Sequence, residues 1–153
     1  MTTVGAMKTS GAILIFLLAP CLLSLGRDEQ SLEQLIARAE SAQPAQQPDL
    51  YVQVADRELK VVVEAYKANK PEDGRAALQP LVTYADKAHT AAIQARKRVK
   101  HTEIKLRQIT GRLRDLKLNV GMDDQPSVQA AVDKVETFRT ELLKSMFGSK
   151  NND

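Results

Sequence analysis

The sequence has no Trp, and aromatics make up only 4 % of its 153 residues. No aromatic residue is interleaved with the basic run at 96–117 to stack on nucleic-acid bases. The chain's abundance of Ala, Leu, Val, Gln, Glu, Lys and Arg favours helices over sheets. The only Cys, Cys21, sits in an apolar amino-terminal stretch. Beyond that stretch no thiol remains for a disulfide, a thiolate metal site or a Cys nucleophile. No Gly-rich phosphate loop, haem-binding Cys pair or Glu-x-x-His bridge is present. The two His, His89 and His101, are 12 residues apart. On one continuous helix they would stand about 18 Å apart, too far to share a metal. Asp86 and His89 are at i, i+3, a spacing that chance often produces. Tyr51, Tyr66 and Tyr84 are expected in the core rather than around a ligand. These absences predict a protein that is not an enzyme and has no catalytic residue, cofactor or metal site.

Residues 1–26 read as a secretory signal. Lys8 supplies the positive segment, Ala12 to Leu25 is mostly apolar, and Ser24-Leu25-Gly26 offers small residues for cleavage before Arg27. Met7 is a plausible true start. The apolar run is short for a span of about 20 residues, and Pro20 interrupts it, so an uncleaved membrane anchor is the lesser expectation. Leu18-Ala19-Pro20-Cys21 resembles a bacterial lipoprotein box, with Pro20 as the departure. The expected mature chain is therefore exported, periplasmic or secreted. It forms one helical domain over 27–148 and a loose tail over 149–153.

Within that domain the periodicity predicts an all-α, elongated antiparallel bundle. Every seventh residue from Leu78 gives Leu78, Ala85, Ala92, Val99, Leu106, Leu113 and Val120. Every seventh from Leu81 gives Leu81, Ala88, Ala95, Thr102, Ile109 and Leu116. Only Thr102 among them is polar, which predicts one long central helix within about 73–120, roughly 40 residues and on the order of 60 Å long. Pro80 is expected to mark a kink or the start of its straight part, and Gly121 a left-handed cap at its end.

A helix at 49–69 is expected to cover the Ala-rich half of the seam, and a helix at 126–147 the Leu-rich half. A short helix at 31–42 begins with Ser31 and Gln34 spaced as a capping box. Gly111 falls on the outward face. Tyr66, Gly74 and Ala76-Ala77-Leu78 resemble one tetratricopeptide unit over about 30 residues, without a second copy at the roughly 34-residue period. That stretch is read as a generic helix hairpin.

Charge is distributed unevenly along a chain of net +3. Residues 75–122 carry 11 basic and 3 acidic side chains, while 27–74 carry 6 basic and 10 acidic. Arg98, Lys105 and Arg112 repeat at seven, as do Lys100, Arg107 and Arg114. These six form the candidate stripe for an anionic partner. The competing expectation is that acids such as Asp56, Glu58, Glu136 and Glu141 answer them within the fold.

Three functions follow in order of expectation. The first is an exported, non-enzymatic helical scaffold that binds a protein partner or a second copy of itself. The second is an envelope-associated binder of anionic polymer or lipid; nucleic acid is disfavoured. The third is a small-ligand or metal-binding bundle.

Overall fold

The computed structural model describes residues 30–148. The expected signal at 1–26 and the tail at 149–153 lie outside them. The described chain is all-helical and forms a bundle. Its elements are α1 (Leu32–Ser41), α2 (Gln47–Lys67), α3 (Pro71–Ala95), α4 (Val99–Asn119) and α5 (Gln125–Phe147).

Local chemistry sets most of the boundaries. Ser31 Oγ accepts from the Gln34 amide and Gln34 Oε1 accepts from the Ser31 amide, so the capping box forms. Pro48, Pro71 and Pro126 stand in the first turns of α2, α3 and α5, where a missing N–H is harmless. Asn69 follows α2 with φ 57°, a left-handed conformation that Asn tolerates better than most residues.

The long central helix is not continuous. Arg96 and Arg98 take φ 49° and 61°, and the chain reverses between α3 and α4. Most seam residues keep their burial: Ala85, Ala92, Thr102, Leu106 and Leu113 are fully buried, while Ala95 and Val99 at the reversal and Val120 at the end are half-buried. The heptad spacing thus identified the buried stripe and misjudged the axis. Folding back lets the α2–α3 hairpin pack on the α4–α5 hairpin, so that Leu59, Leu81, Leu106, Leu113, Val128 and Leu142 share one core. Each such side chain contributes about 1.5–3 kcal/mol on burial, which outweighs roughly 1–2 kcal/mol for each left-handed arginine.

Two smaller corrections accompany it. Pro80 lies inside α3, which begins at Pro71; buried Leu78 and Leu81 hold the helix together on either side of it. The residue closing α4 is Val120 in extended conformation, not a left-handed Gly121.

Ion pairs give the helix directions. Arg114 meets Glu136 and Glu103 meets Arg139, so α4 and α5 are antiparallel. Arg98 meets Asp49 and Arg112 meets Asp56, so α2 and α4 run parallel. Arg75 meets Asp124 and His89 meets Glu141, so α3 and α5 run parallel too. The bundle therefore has two antiparallel seams, tightly packed, and two parallel seams. α1 lies against α2, with Leu35 and Ala39 buried among Leu50, Tyr51, Val54, Ala88 and Ala91.

Candidate functional site: the seam between α2 and α4

The six candidate cations divide into two groups. Three are answered within the fold. Arg98 Nε is 3.0 Å from Asp49 Oδ2, Arg112 Nη1 is 2.6 Å from Asp56 Oδ1, and Arg114 Nη2 is 2.9 Å from Glu136 Oε1. Lys100, Lys105 and Arg107 have no acidic partner within 4 Å among the described residues. Pairing within the fold therefore accounts for three of the six cations. Of the acids expected to pair with it, Asp56 and Glu136 do so. Glu141 instead lies 2.8 Å from His89 Nε2. Glu58 is buried, and burial raises its carboxyl above the ordinary range.

Lys105 stands between the two paired arginines. Lys105 and Arg112 lie seven apart on the α2-facing edge of α4, Arg98 stands seven before Lys105 in the turn that precedes α4, and Asp49 and Asp56 are seven apart on α2. The first and last cations take these aspartates. Lys105 instead lines a groove of about 200 Å³ with Val52, Gln53, Asp56, Arg57, Lys60, Gln108 and Ile109. The Arg57 guanidinium donates to the Gln30 carbonyl, which fixes it at the groove's edge.

A second groove of about 450 Å³ continues along the same seam. Val63, Tyr66, Lys67, Arg112, Asp115, Leu116 and Asn119 line it. The Arg112–Asp56 pair stands between the two. Together they run from Val52 to Lys67 on α2, about 22 Å at 1.5 Å per residue. Their apolar members are Val52, Val63, Tyr66, Ile109 and Leu116.

The opposite parallel seam also has a groove, about 550 Å³, which includes Arg75, Leu78, Val82, Asp86, Lys134 and Phe138. Its arginine is answered twice, and it carries an acid beside its lysine. Arg75 is 3.0 Å from Asp124 and 2.6 Å from Glu72, and Asp86 is 3.5 Å from His89.

The two His sit on different helices. His89 is buried and stacked on Phe138 at 5.3 Å between centroids. Its Nε2 is near Glu141, but neither ring nitrogen reaches hydrogen-bonding geometry. His101 Nε2 is 3.6 Å from Asp49. Among the described residues no group of three or more His, Cys, Asp or Glu side chains is placed to hold a metal. Tyr51 and Tyr84 stack at 6.3 Å, with Lys87 over both rings, while Tyr66 lies apart over Gly74.

Sequence reasoning missed the groove itself. The spacing of Arg98, Lys105 and Arg112 was visible, but the aspartates that select two of them belong to a helix whose direction the unseen reversal sets. Comparison with protein-family models, curated proteins and solved structures finds no match to this chain.

Proposed function

We propose that this chain is an exported, non-enzymatic helical domain that receives a helical segment of a protein partner along the α2–α4 seam. One observation carries the reading: two grooves with apolar members lie in line over about four helical turns. An amphipathic helix binds such a groove through apolar residues at i, i+3, i+4 and i+7. Export rests on residues 1–26 alone. Among the described residues no helix is long and apolar enough to cross a membrane.

The test places a photo-crosslinking residue at Gln108 on this seam and, as a control, at Ala130 on the opposite one. In the cell that makes the protein, Gln108 is expected to yield one discrete adduct that Ala130 does not. The crosslinked segment, made as a peptide, should bind the purified chain saturably. Equal labelling at both positions, or none at Gln108, overturns the reading.

A second reading is favoured by a separate observation. Arg96, Lys97, Lys100 and Arg107 are exposed with no acidic partner within 4 Å among the described residues. They would serve an envelope-associated binder of anionic polymer or lipid. Retention on heparin or anionic vesicles that falls steeply with salt would support it; no retention at low ionic strength would exclude it.

A further inference from the structure

We infer that the segment laid along the α2–α4 seam is acidic, and that one of its carboxylates sits against Lys105. The inference rests on the reading above and adds the partner's chemistry. The seam is a ladder with one rung missing. Asp49 takes Arg98 and Asp56 takes Arg112, while the α2 residue in the Lys105 groove that could have been a third acid is Gln53.

The charge in that groove is one-sided. Arg57, Lys60 and Lys105 line it, and its only acid, Asp56, is engaged by Arg112. The Gln30 carbonyl neutralises no charge on Arg57. Val52 and Ile109 form the apolar part of the lining. Excluding water over them strengthens a charge pair relative to one in open solvent. Gln53 and Gln108 add amide donors for a second carboxylate oxygen.

The neighbouring groove sets the rest of the partner. Val63, Tyr66 and Leu116 supply its apolar contacts, while its cations are already answered, Arg112 by Asp56 and Lys67 by Glu64, and Asp115 adds an acid, so this part receives the apolar stretch of the partner and not its carboxylate. Gln53 and Val63–Tyr66 are separated by about 15–20 Å along α2. A fitting helix carries Asp or Glu about three turns from its main apolar anchors.

The experiment uses the full chain and three 18-residue amphipathic helical peptides. They share one apolar stripe and carry Glu, Gln or Lys at the polar-edge position that falls at Lys105. Binding is read by fluorescence anisotropy at low and physiological salt, with inorganic phosphate as competitor. Lys105→Gln and Arg107→Gln are compared after melting curves show that both remain folded.

The Glu peptide is expected to bind at least tenfold tighter than the Gln peptide, and the Lys peptide weakest. Lys105→Gln should reduce that ratio to below twofold, and Arg107→Gln should leave it intact. Equal binding of the Glu and Gln peptides overturns the acidic inference while the seam remains a helix site. Equal losses in the two variants also overturn it, because they mean diffuse attraction. Full displacement by millimolar phosphate, with no preference between peptides, overturns it in favour of a small-anion site. Failure of all three peptides to bind overturns it together with the seam reading, unless Gln108 still crosslinks a partner; in that case only the acidic inference is lost.

Discussion

Gly74 lies directly beneath the ring of Tyr66. A Cβ at Gly74 would stand 2.6 Å from Tyr66 Cε2 and under 3 Å from two more ring carbons. Any side chain there must push the ring away from the α2–α3 seam, and with it the lining of the second groove. Gly111 is the opposite case, with nothing within 4 Å of an added Cβ. Gly74→Ala is therefore expected to destabilise by about 1–3 kcal/mol through overpacking, even though Ala is the better helix former. Gly111→Ala should stabilise by up to about 1 kcal/mol. Paired denaturant titrations check both signs. A stabilising Gly74→Ala would mean that Tyr66 is free to leave.

Two carboxylates shift in opposite directions and should be separable by pH. The Lys87 ammonium holds the Glu40 carboxyl below its ordinary range, with Tyr51 as a second donor. Its contribution is present above about pH 4.3 and is lost as pH falls through the lower folded value. Burial instead raises Glu58, which has no cation within 4 Å among the described residues. The folded state then favours the protonated form. That contribution is complete below about pH 4.3 and is lost as pH rises through the raised folded value.

Glu58→Gln should accordingly raise Tm at pH 7, with a gain that shrinks towards pH 4. Glu40→Gln should lower Tm at pH 7, with a loss that also shrinks on acidification. Melting curves across pH 3–8 decide. A Glu58→Gln variant less stable than the parent at pH 7 would reveal an ion pair at that site.

Thr102 is fully buried, and its hydroxyl has no hydrogen-bond partner. A helical Thr ordinarily donates to the carbonyl four residues back, as Thr110 does to Leu106 at 2.9 Å. The carbonyl four back, that of Arg98, accepts the Thr102 backbone amide at 2.8 Å but not its hydroxyl. Thr102→Val keeps the shape and removes the unsatisfied group. It should stabilise by about 1–3 kcal/mol in equilibrium unfolding. A loss of stability would place a bound water or an alternative rotamer at that hydroxyl.

Thr102 also shows how far the sequence could be read. Its place on the seam was legible, because a stripe repeating at seven marks burial whether or not the helix behind it is straight. The covering of Ala85, Ala88 and Ala92 by α2, and of Leu106 and Leu113 by α5, was legible for the same reason. The reversal was not, since Ala95-Arg96-Lys97-Arg98-Val99 contains no Gly, Pro or Asn to announce it. Three successive cations at the end of α3 were its only local sign, favourable to a helix C-terminus and unfavourable to the start of α4. With the axis misjudged, the pairing of Asp49 and Asp56 with alternate members of the Arg98–Lys105–Arg112 series could not be foreseen. Nor could the groove that their spacing leaves at Lys105.

The reversal itself has a direct test at Arg96. This residue closes α3 with φ 49°, where an L side chain costs roughly 1–2 kcal/mol and Gly nothing comparable. Arg96 has no ion pair within 4 Å among the described residues, so substitution removes little else. Arg96→Gly should therefore stabilise by about 1 kcal/mol, in the manner of other left-handed positions at helix ends. In an uninterrupted helix over 73–120 the same change would fall in the interior and cost about 1 kcal/mol relative to Ala. The two architectures thus predict opposite signs for one substitution. Urea titration of Arg96→Gly beside Arg96→Ala separates them: Gly more stable than Ala supports the turn, and Ala more stable than Gly restores the continuous rod. The second outcome would also dissolve the parallel pairing of α2 and α4, and with it the ladder whose open rung is Lys105.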